Sequence, residues 1–135
     1  MIQKTKMREL DPNIRKRNFE EVAIGYTEEE AIQEAKRCIQ CKNPRCVSGC
    51  PVNVYIPEFI SEVAKGNFEA AHLILLKQNS LPAICGRVCP QETQCEGKCV
   101  VGIRNEPVGI GRLERFVADY YMANIEEKIP KVEKN

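Results

Sequence analysis

The chain has no tryptophan, one histidine, and only four phenylalanines and four tyrosines among 135 residues. So few large aromatics leave a lean core, and something beyond apolar burial must help to hold it. Charge of one sign is not in excess: Lys and Arg number 20, Asp and Glu 19. That balance argues against a general nucleic-acid binder, whose affinity rests on surplus cations. Long apolar runs are missing too. Leu73-Ile74-Leu75-Leu76 is typical of them, far short of the roughly 20 residues that span a bilayer, so no membrane partner is expected. The opening residues, Met1-Ile2-Gln3-Lys4-Thr5-Lys6, hold no apolar signal region. The expected compartment is cytoplasmic, where disulfides are rare. Gly109-Ile110-Gly111 lacks the third glycine and the preceding strand of a dinucleotide-binding turn, so no flavin or nicotinamide site is visible.

What the chain does have is cysteine: eight residues in two groups. The first is Cys38-x2-Cys41-x4-Cys46-x3-Cys50-Pro51. The second is Cys85-x3-Cys89-Pro90 followed by Cys95-x3-Cys99. A cubane iron–sulfur cluster needs thiolates converging on four iron corners. A short loop such as Cys38–Cys46 can wrap three of them, leaving the fourth ligand to come from elsewhere. In two-cluster ferredoxins the cysteine before proline ligates the other cluster, and here the C-x3-C-P unit occurs twice. The two groups therefore form the ligand frame of two clusters. Zinc is the competing reading, but four-cysteine zinc sites favour paired C-x2-C units, and the chain has only Cys38/Cys41. A zinc-stabilised interaction module without a redox role is the alternative function.

The remaining pattern is helical. Residues 1–10 read as an irregular basic arm, with Lys4, Lys6 and Arg8. Asp11 and Pro12 start a short basic helix to about Arg17, more plausibly a solvated face than a docking arm. Thr27 to Glu30 is a capping box that opens a helix of about 28–40, delivering Cys38 and Cys41 at its end. Lys42-Asn43-Pro44 breaks it. A helix from Pro57 to Lys65, with stripe Phe59, Ile60 and Val63, stops at Gly66. Asn67 is expected to cap a second, Phe68 to about Gln78, with Ala71, Ile74 and Leu75 inward. The two form a hairpin between the cysteine groups. His72 has no partner ligand by spacing and reads as a packed or partly exposed helix residue. Ser80-Leu81-Pro82 is expected to cap a short helix presenting Cys85 and Cys89 on one face, and Cys95 and Cys99 to repeat that geometry. Gly86, Gly97 and Gly102 would let backbone approach a cluster. The last helix spans about Ile110 to Ile125, with Ile110, Leu113, Val117, Tyr120 and Tyr121 buried and Glu114 at the stripe's edge. Residues 127–135 read as a linker.

Five stretches carry a family resemblance: Ala35–Cys41, Cys46–Val52, Cys85–Pro90, Cys95–Cys99 and Pro107–Arg115. Across residues 11–126 the chain resembles the N-terminal iron–sulfur domain of the glutamate synthase NADPH small subunit family. The same module resembles those in dihydropyrimidine dehydrogenase and in the large subunit of NADH-dependent ferredoxin:NADP oxidoreductase. The resemblance implies an all-α, alpha-helical ferredoxin-like fold with two [4Fe-4S] clusters. One cluster would take Cys38, Cys41, Cys46 and Cys99, the other Cys50, Cys89 and Cys95. For the eighth ligand, counting thiols points to Cys85, whereas the family pattern places a Gln or Glu of the last helix there, and Glu114 stands at that position. Glu114 is the expected ligand, with Cys85 the alternative. The implied role is electron transfer between flavin/NAD(P)H chemistry and a partner's redox cofactor. The flavin and NAD(P) sites would lie in a following domain or another subunit, with a large oxidoreductase subunit as partner. The chain itself is then an excised domain or a free-standing subunit, with no catalytic residue of its own.

Overall fold

Local signals in the sequence start most of the helices, and the computed structural model describes them over residues 2–125. Asp11 caps α1 (Pro12–Arg15), its carboxylate accepting from Asn13 N. This helix buries nothing, in keeping with a solvated face. Thr27 caps α2 (Glu28–Ala35) in a full capping box: Thr27 Oγ1 accepts from Glu30 N, and Glu30 Oε1 accepts from Thr27 N. The helix ends at Ala35, five residues short of the expected 40. Lys36 and Arg37 turn tightly, and Gln40 has a φ of 52°. Cys38 and Cys41 thus stand on a turn beyond the helix.

A short helix that periodicity did not reveal, α3 (Arg45–Gly49), carries Cys46 and ends at Cys50. α4 (Ile56–Ala64) carries Pro57 in its first turn and stops before Gly66, whose φ of 82° suits a residue without Cβ. Ile56, Phe59, Ile60 and Val63 form its buried stripe. α5 (Phe68–Leu76) buries Phe68, Ala71, His72 and Leu75. Asn67 does not cap it; the side-chain amide donates to Glu62 Oε2 at 3.1 Å instead. α6 (Pro82–Val88) follows, without a side-chain cap from Ser80. Three 3-10 segments, Gln91–Thr93, Glu96–Lys98 and Val100–Ile103, lead to α7 (Ile110–Asn124). Among the described residues the only β pairing is an isolated antiparallel bridge, Glu9 with Ala23. The fold is all-α.

The core sits between α4, α5 and α7, with α2 against α4 and α6 against α7. Phe116, which the stripe pattern missed, packs edge-on to Phe68 at 5.0 Å, and Phe68 meets Tyr120 at 4.8 Å. Such pairs contribute about 0.5–1.5 kcal/mol each beyond area burial. Tyr120 and Tyr121 are half-buried. His72 is buried and stacks on Tyr121 at 3.8 Å. The N-terminal arm is held down rather than free. Thr5 N donates to Glu34 Oε2 at 2.8 Å, Tyr26 OH donates to Thr5 O at 2.7 Å, and Arg112 donates to Thr5 O at 3.2 Å. The expected linker, 127–135, lies outside the described residues.

Candidate iron–sulfur site

Backbone turns bring the two cysteine groups together. Cys38 and Cys41 follow α2, Cys46 lies on α3 and Cys50 ends it. Cys85 lies in α6 and Cys89 ends it, with Cys89 N donating to Cys85 O at 3.1 Å. Cys95 and Cys99 bracket the 3-10 segment Glu96–Lys98. They therefore do not repeat the α-helical i, i+4 geometry. Three residues per turn instead of 3.6 rotates the two side chains apart, and they line different cavities.

The first cavity is lined by Cys38, Cys41, Cys46 and Cys99, with Ile56, Ile60, Val108 and Ile110 among its apolar walls and Arg45 beside it. The second is lined by Cys50, Cys85, Cys89 and Cys95, together with Glu114, Asn79 and Phe59. Ile56 and Ile110 line both, so the two cavities share an aliphatic wall. All eight cysteines are free thiols.

The donor set suits a polynuclear cluster. Each cavity has at least four soft or anionic donors around an apolar space, as a cubane requires. Among the described residues no group of three or more His, Cys, Asp or Glu converges tightly enough for a single metal ion.

Burial pushes several thiols up: Cys46 to about 11, Cys89 to about 11 and Cys95 to about 12, with Cys38 also raised. Thiolates are the form that binds iron, so cluster insertion must drive their deprotonation. Gln40 Nε2 donates to Cys38 Sγ at 3.4 Å. Glu114 is expected at the edge of the α7 stripe, and it is half-buried there. Burial raises its carboxyl to about 7, partly offset by the Asn79 side-chain amide, which donates to Glu114 Oε1 at 2.7 Å. No arginine pairs with it in the described structure; its partner is an amide.

The glycines do other work than expected. Gly86, Gly97 and Gly102 line neither cysteine cavity. A Cβ on Gly86 would lie 2.6 Å from Arg115 N, so this glycine lets α6 and α7 touch backbone to backbone.

Two polar groups escaped the sequence reading. Glu34 and Arg37, an i, i+3 pair at the end of α2, are buried and joined at 2.6 Å. Glu34 Oε1 also accepts from Gly109 N at 3.0 Å, and Arg37 donates to the backbone carbonyls of Ile2, Glu106 and Pro107. The second is Asn79. Its position two residues before Leu81-Pro82 is an Asx-turn signal ahead of a helix that starts with proline. No helix among the described residues is long and apolar enough to cross a membrane.

Over residues 15–126 the chain matches the family described as dihydropyrimidine dehydrogenase domain II, 4Fe-4S cluster. It is 43% identical over 107 residues to the glutamate synthase (NADPH) small chain of Escherichia coli K12, a match covering 78% of this chain and 22% of that protein. The corresponding chain of Halomonas elongata is 40% identical over 105 residues, covering 78% and 22%. The NAD-dependent dihydropyrimidine dehydrogenase subunit PreT of Escherichia coli K12 is 37% identical over 102 residues, covering 76% and 25%. The chain spans about a quarter or less of the length of these relatives. With a match across most of its length, the chain belongs to this family of 4Fe-4S iron–sulfur domains.

Proposed function

We propose that the chain is an electron-transfer module holding two [4Fe-4S] clusters, working between a flavin/NAD(P)H-linked domain or subunit and a partner's redox cofactor. The observation that carries this reading is the division of the donors. Two cavities with one shared aliphatic wall each present four or more ligating groups, drawn from both cysteine groups. In this reading residues 11–126 would be the two-cluster domain and 1–10 the basic arm.

Cys38, Cys41, Cys46 and Cys99 would hold the first cluster. Cys50, Cys89, Cys95 and Glu114 would hold the second, with Cys85 beside it. A bound cluster supplies a one-electron carrier whose potential the protein tunes through ligand identity, burial and hydrogen bonds. Ile56, Ile60, Val108 and Ile110 keep water from the first site, and Phe59 and Val54 from the second. Gln40 directs an amide at the Cys38 sulfur, which favours added negative charge there. Ile56 and Ile110 line both sites, an arrangement suited to passing an electron between them. Substrate chemistry belongs to the parts of the relatives that this chain does not span. The glutamate synthase and dihydropyrimidine dehydrogenase relatives point to NAD(P)H-linked reduction as the setting.

The test is iron and acid-labile sulfide analysis, with low-temperature EPR, on anaerobically purified protein. About eight of each per chain, as two cubanes require, is the expected result. Zinc without labile sulfide would overturn the proposal.

A further inference from the structure

The second cavity holds five candidate ligands, Cys50, Cys85, Cys89, Cys95 and Glu114, for the four corners of a cubane. Something must decide which one is left out. Asn79 stands between the two contenders. It is buried, with 9% of its surface exposed. Its Nδ2 donates to Glu114 Oε1 at 2.7 Å, and its Oδ1 accepts from the Cys85 thiol at 3.8 Å.

The amide cannot turn round to serve them in the opposite sense. Leu81 N donates to Asn79 Oδ1 at 2.9 Å, which fixes the carbonyl end toward the start of α6 and the NH2 end toward Glu114. The fixed orientation has a chemical consequence. The Nδ2–H bond holds Glu114 Oε1 and leaves the other carboxyl oxygen outside that contact. The carbonyl end of the same amide holds the Cys85 sulfur through its thiol hydrogen bond, so the two contenders are tied to opposite ends of one fixed side chain.

Resting on the reading of this cavity as a [4Fe-4S] site, we propose that Asn79 is a positioning residue that selects Glu114 and rejects Cys85 as fourth ligand of the second cluster. Without its amide, Glu114 loses its orienting donor and Cys85 its acceptor. Cys85, as a thiolate whose proton has passed to solvent, would then hold the fourth corner in place of Glu114.

The experiment is Mössbauer spectroscopy with EPR on the full chain loaded with 57Fe. Asn79→Ser keeps an acceptor for Leu81 N but removes the donor to Glu114, and Asn79→Ala serves as the second variant. Wild type should show one oxygen-ligated iron subsite, roughly one iron in eight. In Asn79→Ser that subsite should disappear with total iron retained. Adding Cys85→Ala to Asn79→Ser should bring it back, because Glu114 is again the remaining donor. An Asn79→Ser spectrum identical to wild type overturns the selection. So does a subsite that is lost in Asn79→Ser and stays lost when Cys85→Ala is added. If Asn79→Ser does not accumulate, the same comparison on Asn79→Ala decides it, and failure of both to retain iron even with Cys85→Ala present overturns it as a mere folding contact. Failure of the underlying reading looks different. Wild type would then lack the oxygen-ligated subsite, or Cys85→Ala alone would lose a cluster.

Discussion

Removing the carboxylate of Glu34 should loosen the molecule where the N-terminal arm meets the start of α7. The residue is fully buried and its oxygens take three donors: Thr5 N at 2.8 Å, Arg37 Nη1 at 2.6 Å and Gly109 N at 3.0 Å. In Glu34→Ala the Arg37 guanidinium, whose side chain is 2% exposed, stays buried without its counter-charge. Breaking such a pair on one side costs about 3–5 kcal/mol. Three backbone carbonyls still accept from Arg37, which places the estimate toward the lower end, about 3 kcal/mol. Gly109 N loses its acceptor as well, one residue before α7 begins. Because the neighbouring Val108 and Ile110 wall the first cavity, the damage should reach the cluster. Expressed as unfolding rate, about 3 kcal/mol is roughly a hundredfold. The assay is the bleaching rate of the brown chromophore at fixed temperature under argon with a chelator present, since cluster loss makes unfolding irreversible. Glu34→Gln keeps an acceptor for the two backbone amides and should fall between wild type and alanine. A Glu34→Ala protein that bleaches within about threefold of wild type would refute the reasoning, since that is under 1 kcal/mol.

Three further outcomes are expected. If the proposed two-cluster assignment holds, Cys99→Ala should remove the cluster assigned to Cys38, Cys41 and Cys46, whereas Cys95→Ala, four residues away, should remove the other; EPR of the two variants should show complementary losses. Gly86→Ala puts a Cβ 2.6 Å from Arg115 N, so α6 and α7 must separate, at a cost of about 1–3 kcal/mol or more. Because α6 presents Cys85 and leads to Cys89, iron content should fall toward half with the second cluster lost. Arg45 lines the first cavity and is exposed. Replacing it with Ala removes a cation that favours the reduced, more negative cluster. At about 0.2–1 kcal/mol for an exposed charge, the midpoint potential of that cluster should drop by roughly 10–40 mV in a redox titration.

The helices that bury a regular stripe were readable because their signals are local. Thr27 and Glu30 announce α2, Pro57 and Gly66 bracket α4, and Ile110, Leu113 and Val117 mark α7. The ends were less legible where a tertiary partner decides them. α2 stops at Ala35 because Glu34 and Arg37 turn inward to hold Gly109 and the carbonyls of Glu106 and Pro107, contacts some 70 residues distant in sequence. α3 is too short to show a period. For the cysteines, spacing indicated a cluster frame but could not say which cavity each would line. Cys95 and Cys99 illustrate why: an α-helical spacing of four puts both on one face, while the 3-10 geometry between them sends them apart. Asn79 carried a weak turn signal, and nothing in its neighbourhood foretold a contact with Glu114.

The crossing of donors gives the lean core a physical explanation. Phe68, Phe116, Leu75 and Val63 lie in the buried cluster between α4, α5 and α7. The segments at residues 38–54 and 85–108 add few buried apolar side chains to it: among the described residues these are Val54, Cys95 and Val108, and the rest pack against the core only in part. Two short irregular stretches with so little burial cannot offset the cost of ordering their backbones, about 1–2 kcal/mol per residue. Bridges from Cys38, Cys41 and Cys46 to Cys99, and from Cys50 to Cys89 and Cys95, would join those stretches and supply what apolar contact does not. The same bonds that would carry an electron would close the fold around Ile56 and Ile110.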